Sequence, residues 1–149
     1  MRLSRFTDIS LRALLYLGAA PERVVATREM ADRLVVSREH LMKCLRALSD
    51  LDLVESVQGR AGGYRVSQRR GEMRLGDLVR HLEPSLAMAE CFEPDSTCPL
   101  TGRCRLAGAL ASAQAAFLAD LDRQTIDDLI AADRPTLVQI SPGETDADR

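Results

Sequence analysis

Apolar residues near the start of the chain recur at the three- and four-residue steps of a buried helix face. Phe6, Ile9, Ala13, Leu14 and Leu17 form one stripe, and Thr7 followed by Asp8 supplies a hydroxyl cap and a first-turn acid for it. That helix ends near Gly18 to Pro21. Thr27-Arg28-Glu29-Met30 opens a short second helix with Met30, Ala31 and Leu34 inward. After Val35-Val36, Ser37 begins a longer amphipathic helix with Leu41, Cys44, Leu45, Leu48 and Leu51 on one face and Arg38, His40, Lys43 and Arg46 on the other. From Leu53 the period drops to two, so Val54-Glu55-Ser56-Val57 and Tyr64-Arg65-Val66-Ser67 read as strands around the glycine-rich tip Gln58-Gly59-Arg60-Ala61-Gly62-Gly63.

Three short helices and a hairpin make a winged helix-turn-helix. Leu75 to Leu82 then forms a helix stopped by Pro84, and Ser85 to Gly102 has no clean period. Leu106, Leu110, Ala113, Phe117 and Leu121 mark a long helix whose seam wants a partner. Thr125 caps a last helix through Ile130. The expected architecture is mainly α with a small β-hairpin: a winged helix-turn-helix domain over residues 1–82, a cluster-binding loop over 83–104, long C-terminal dimerisation helices over 105–134, and a C-terminal tail over 135–149, expected to be flexible, its polar part from Ser141 onward, with Pro142 and Gly143, having nothing to bury.

Composition narrows the function classes. Of 149 residues 46% are apolar and only 3% aromatic, so an aliphatic core is affordable and wholesale disorder is not expected. The apolar stretch from Ile9 to Ala20 is cut by Arg12 and follows Asp8, which suits neither a signal peptide nor a membrane helix; a cytoplasmic protein is the expectation. The net charge of −2 hides an asymmetry: residues 1–80 carry 15 basic and 10 acidic groups, residues 81–149 carry 5 and 12. A polyanion should therefore meet the first half. Catalytic triads, phosphate-binding glycine loops and paired-carboxylate sites are missing, so a non-enzyme is expected.

In a winged motif the N-terminal residues of the second helix approach base edges and the wing tip reaches the backbone or minor groove. Ser37, Arg38, His40 and Lys43 occupy the helix positions, Arg60 the wing tip, and Arg12 and Arg28 are further candidate DNA contacts. Glycines around Arg60 leave no side chains between its guanidinium and a narrow A·T-rich groove. Singly, each helix cation is equally a solvated surface charge; the combined pattern is the signal. Cys91-x6-Cys98-x5-Cys104 is too widely spaced for paired zinc knuckles, and its prolines and glycine suit a loop wrapped around an iron–sulfur cluster, with structural zinc or reduced thiols as alternatives. Three sulfurs leave either metal group one ligand short. Cys44, on the buried stripe, reads as a core residue.

Met1-Arg2-Leu3, Phe6-Thr7-Asp8, Leu11-Arg12-Ala13-Leu14, the wing Gly59-Arg60-x-Gly62-Gly63-Tyr64, Leu75-Gly76-Asp77, Leu82-Glu83-Pro84 and the three cysteines resemble the Rrf-two family of bacterial winged-helix regulators, over Met1 to about Ile130. The resemblance is nearest to the family's nitric-oxide-sensing repressors. It implies a homodimer with crossing C-terminal helices, binding double-stranded DNA at an inverted-repeat operator. It also implies one 4Fe-4S cluster per subunit, held by Cys91, Cys98 and Cys104 with Asp8 of the partner subunit as fourth ligand. Glu83 and Glu90 are the alternative carboxylates. A sister group holds a 2Fe-2S cluster with a histidine three residues beyond the last cysteine, where this chain has Ala107. Iron-responsive or redox-responsive regulation is the alternative within the family, and a small electron-transfer protein or a structural zinc module the alternatives outside it.

Overall fold

The helix that opens the chain, α1, spans Arg5–Gly18 in the computed structural model, which describes residues 2–140. It starts earlier than the sequence pattern suggests: Ser4, not Thr7, is its cap, with Ser4 Oγ accepting from the Thr7 N–H at 3.1 Å. Thr7 lies inside the first turn and is fully buried. Two hydroxyls three residues apart compete for one cap, and the buried position goes to the residue that can bring a methyl inward.

Helix α2 follows at Thr27–Leu34 and α3 at Arg38–Asp50, the latter capped as expected by Ser37. Between them the chain reverses through a Schellman motif, with Val36 N–H donating to Ala31 O at 3.0 Å and Val35 N–H to Asp32 O at 3.3 Å. Val35 therefore sits at φ 54°, ψ 52°, a left-handed conformation that a β-branched residue adopts only under strain. Its side chain is 86% exposed, so packing returns nothing. Val35→Gly is expected to stabilise the fold by about 1 kcal/mol, a rise of a few degrees in thermal midpoint, readable by calorimetry; an unchanged or lower midpoint would contradict it.

Strands β1 (Val54–Val57) and β2 (Gly63–Val66) pair antiparallel with Val54 opposite Val66 and Val57 opposite Gly63. The hairpin is held to the body by a bridge between Val25 and Tyr64, through N–H···O bonds of 2.8 and 2.9 Å. Val25 is placed by the preceding turn, where Arg23 grips Glu29 with two bonds of 2.7 and 2.8 Å and buried Tyr16 donates to the same carboxylate. After a 3-10 turn at Gln68–Glu72 comes α4, Leu75–Leu82. Ile9, Leu14, Leu17, Met30, Leu41, Leu45, Leu48, Leu53, Leu78 and Ile126 share one core. Cys44 belongs to it, and burial pushes its thiol up.

Helices α5 (Arg105–Leu121) and α6 (Ile126–Ile140) complete the described chain. No residue of α5 is buried; Leu106 is 64% exposed, Ala113 is exposed, and Leu110, Phe117 and Leu121 are half-buried. Among the described residues the seam predicted there is left largely uncovered. The sequence pattern ends the last helix at Ile130, whereas α6 runs on through Pro135 to Ile140, so the tail assigned from residue 135 is helical in its first part. Leu137 is buried and gives the extension something to hold. The remainder of that tail, 141–149, lies outside the described residues. None of the described helices is long and apolar enough to cross a membrane.

Candidate nucleic-acid interface and thiol loop

The candidate contact residues fall on the start of α3 (Ser37, Arg38, His40, Lys43), the first turn of α2 (Arg28) and the hairpin tip (Arg60). Ser37 Oγ accepts from the His40 N–H at 3.3 Å, which fixes the first turn of α3 and leaves Arg38 exposed beside it. Arg28, Arg38 and Arg60 are exposed and make no ion pair or side-chain hydrogen bond among the described residues. Exposed guanidinium groups with unspent donors suit phosphate or base-edge acceptors. Lys43 differs: its Nζ lies 3.0 Å from Glu39 Oε1, and the ammonium holds that carboxyl below its usual range. At the tip, Gly59 has φ 114° and Gly62 N–H closes a turn onto Gly59 O at 3.0 Å, carrying Arg60 at the outermost bend. The glycine positions are thus required by the turn itself.

Arg12 is engaged within the fold. Its Nη2 donates to the Leu34 carbonyl at 2.6 Å, capping the C-terminus of α2, and its Nη1 lies 3.5 Å from Asp8 Oδ2. A cation there complements the helix dipole and supports the turn into α3. Sequence spacing could show the Asp8–Arg12 pair, four residues apart, but not the carbonyl of Leu34.

The thiol loop runs from Glu83 to Cys104. Cys91 lies in a one-turn 3-10 segment (Glu90–Phe92), Cys98 in a turn closed by Thr101 N–H onto its carbonyl at 3.1 Å, and Cys104 at the N-terminus of α5. All three are reduced and half-buried. Most of the loop's ties are local: Ser85 to Glu93, Ser96 to the Cys98 N–H, and Thr97 to Glu90 through both N–H and hydroxyl at 3.1 and 2.8 Å. Those bonds hold the Glu90 carboxyl below its usual range. Glu83 is also engaged, accepting from the Ser4 N–H at 2.7 Å and so joining the start of the loop to the start of α1. Asp8 keeps an exposed carboxylate beside Arg12; its side chain is 55% exposed and lines a depression with Arg2, Leu3 and Arg5.

Among the described residues no three His, Cys, Asp or Glu side chains stand close enough to hold a metal ion. The sequence gathers Cys91, Cys98 and Cys104 into one site; among the described residues the single chain does not bring three such ligands together. The donor set nevertheless fits an iron–sulfur cluster in chemistry, with three soft sulfurs and one accessible carboxylate, and a loop tied mostly to itself can rearrange when a metal group binds.

A family profile described as Rrf2, iron-dependent transcriptional regulator, matches residues 3–132. The chain belongs to the Rrf2 family. Rrf2 proteins are transcriptional regulators that bind DNA, not enzymes, and are typically dimeric. Solved structures share the fold. The T. potens IscR structure matches with a TM-score of 0.69 and 22% identity, covering 89% of this chain and 88% of that one. An oxidized form of Staphylococcus aureus CymR matches at 0.67 and 21%, covering 87% and 96%. CymR, the global cysteine regulator of B. subtilis, matches at 0.68 and 21%, covering 89% and 98%. At such identities the likeness establishes the Rrf2 winged-helix architecture, mainly helical with one two-stranded antiparallel sheet.

Proposed function

We propose that this Rrf2 regulator is a cytoplasmic homodimeric repressor of the NsrR type, whose grip on an inverted-repeat operator depends on a 4Fe-4S cluster and is released by nitric oxide. Cys91, Cys98 and Cys104 would hold the cluster, with Asp8 of the partner subunit as fourth ligand; when bound, the cluster supplies iron with which nitric oxide reacts. The observation that carries this reading is the sharing of Arg12 between Asp8 and the Leu34 carbonyl. Any bond made to the Asp8 carboxylate competes for Arg12, and Arg12 supports the α2–α3 turn one residue before Val35. A change at Asp8 therefore reaches the reading helix through a single guanidinium, the kind of two-state element a regulator needs.

On the DNA side, Arg38 enters the major groove from the first turn of α3, with Ser37 and His40 beside it, while Arg60 enters the minor groove from the wing and Arg28 meets phosphate. Lys43 reaches the groove once it exchanges Glu39 for a phosphate. Arg60→Ala is expected to keep any visible absorbance, weaken operator binding about tenfold and lower the slope of log affinity against log salt by about 1.8, about 0.9 for each subunit of the dimer. A variant whose affinity and slope match wild type in gel shifts across a salt series would remove Arg60 from the interface.

The decisive experiment is purification without oxygen, a visible spectrum with iron and sulfide analysis, and titration with nitric oxide against an operator shift. The reading expects a coloured protein that loses its operator as nitric oxide is added. Colourless protein without iron that binds its operator equally well would overturn it. The iron-dependent description of the family profile favours a second reading, iron-responsive control with the same thiols; there, depletion of iron releases the operator and nitric oxide adds nothing.

A further inference from the structure

Gly76, within the Leu75-Gly76-Asp77 stretch, is buried at the start of α4, and a Cβ there would come within 2.8 Å of Asp122 Cγ and 3.0 Å of the Leu118 carbonyl oxygen. Only a glycine lets the end of α5 lie so close. Asp122, in the elbow between α5 and α6, is gripped by Arg80 of α4 through two parallel bonds of 2.8 and 2.7 Å, and Arg80 is steered by Asp77 at 3.0 Å. These partners hold the Asp122 carboxyl below its usual range and raise Arg80. Arg74 donates to the Asp122 carbonyl at 2.7 Å. Main-chain bonds add to this, Leu75 N–H to Gln124 O at 2.9 Å and Ile126 N–H to Met73 O at 3.2 Å. Thr125 and Asp128 cap each other at the start of α6, and Arg70 Nε lies 2.7 Å from Asp127 Oδ1. On the far side Ile130 fills the space left by Gly18 of α1.

We infer that this socket, built from Gly76, Arg80 and Asp122, fixes the angle between α5 and the winged domain, making these residues determinants of operator half-site spacing. The inference rests on the dimer reading above, in which α5 carries the subunit contact. Helix α5 has 17 residues and is about 25 Å long. A swing of about 10° at its elbow moves the far end by about 4 Å, which exceeds the ~3.4 Å that one base pair adds between half-sites. An unclamped elbow could therefore follow operators of several spacings, whereas a clamped one discriminates between them. The ion pairs are surface groups and contribute modestly to stability; their value here is bidentate geometry, which resists rotation.

The test uses full-length protein purified without oxygen, an operator selected from random DNA, and copies with one base pair added or removed between half-sites. For wild type each change is expected to weaken binding about tenfold or more. For Arg80→Ala and Asp122→Ala the penalty is expected to shrink to about two- or threefold, with sedimentation mass, circular dichroism and binding to an isolated half-site unchanged. Single variants that discriminate as wild type does, or that lose half-site binding and helicity together, overturn the inference and leave the repressor reading intact. A wild-type protein that is monomeric or indifferent to spacing overturns both.

Discussion

Cys98→Ser is expected to give a folded protein that carries no visible chromophore when purified without oxygen and that binds its operator about 5- to 150-fold more weakly, the usual range of coupling between two sites. The loss follows from donor chemistry. Serine presents a hard, protonated oxygen where a soft thiolate is needed, and with two sulfurs left the site has too few ligands. The fold has little to lose: Cys98 is half-buried, and its turn is held by Ser96 Oγ to its N–H and by Thr101 N–H to its carbonyl, neither of which involves sulfur. Thermal unfolding of metal-free wild type and variant should coincide within about 0.5 kcal/mol. Metal-free wild type should also match the variant in gel shifts. A colourless Cys98→Ser protein that shifts operator DNA as well as loaded wild type would separate the thiols from DNA control.

Gly63→Ala is expected to cost about 2–3 kcal/mol and to weaken operator binding at least as much as removing Arg60. A Cβ at this position overlaps the Val25 carbonyl, lying 2.6 Å from its carbon and 3.0 Å from the Ala26 nitrogen. Those are backbone atoms, so relief means opening the Val25–Tyr64 bridge and losing its two hydrogen bonds, worth about 1 kcal/mol each. The hairpin would then swing as a unit and displace Arg60 at its tip. Most of the core, including Ile9, Leu14, Leu45 and Leu48, does not depend on that bridge, so helix content should survive while the melting temperature falls. Unaltered melting and affinity would mean the wing is positioned by something other than this contact.

Several elements were legible because their signals are local. Ser37 before Arg38-Glu39-His40 marks the start of α3 by cap chemistry alone, and alternation around Gly59 and Gly62 marks the hairpin. The start of α1 was not legible: Ser4 and Thr7 are equally good caps, and burial of Thr7 decided between them. The sequence pattern ends the last helix at Ile130, yet α6 continues through Pro135 because Leu137 finds a buried place. Arg12 reads as one more surface cation near the reading helix, and its bond to Leu34, 22 positions away, leaves no trace in any window of sequence. The Asp122–Arg80 grip spans 42 positions and is equally invisible.

The order of residues alone determined which segments become helix or hairpin, which faces turn inward, and which candidate groups stand together: three thiols in one loop, a run of cations on α3 and an arginine at a glycine-rich tip. These follow from interactions within a few residues, where caps, periodicity and turn preferences act. Tertiary structure decided which charges remain unspent, where Glu83 and Arg12 are tied down, that Asp8 keeps an open carboxylate, and how closely α5 lies against α4. Those outcomes depend on groups far apart in the chain meeting at hydrogen-bonding distance, and only the packed fold sets such distances.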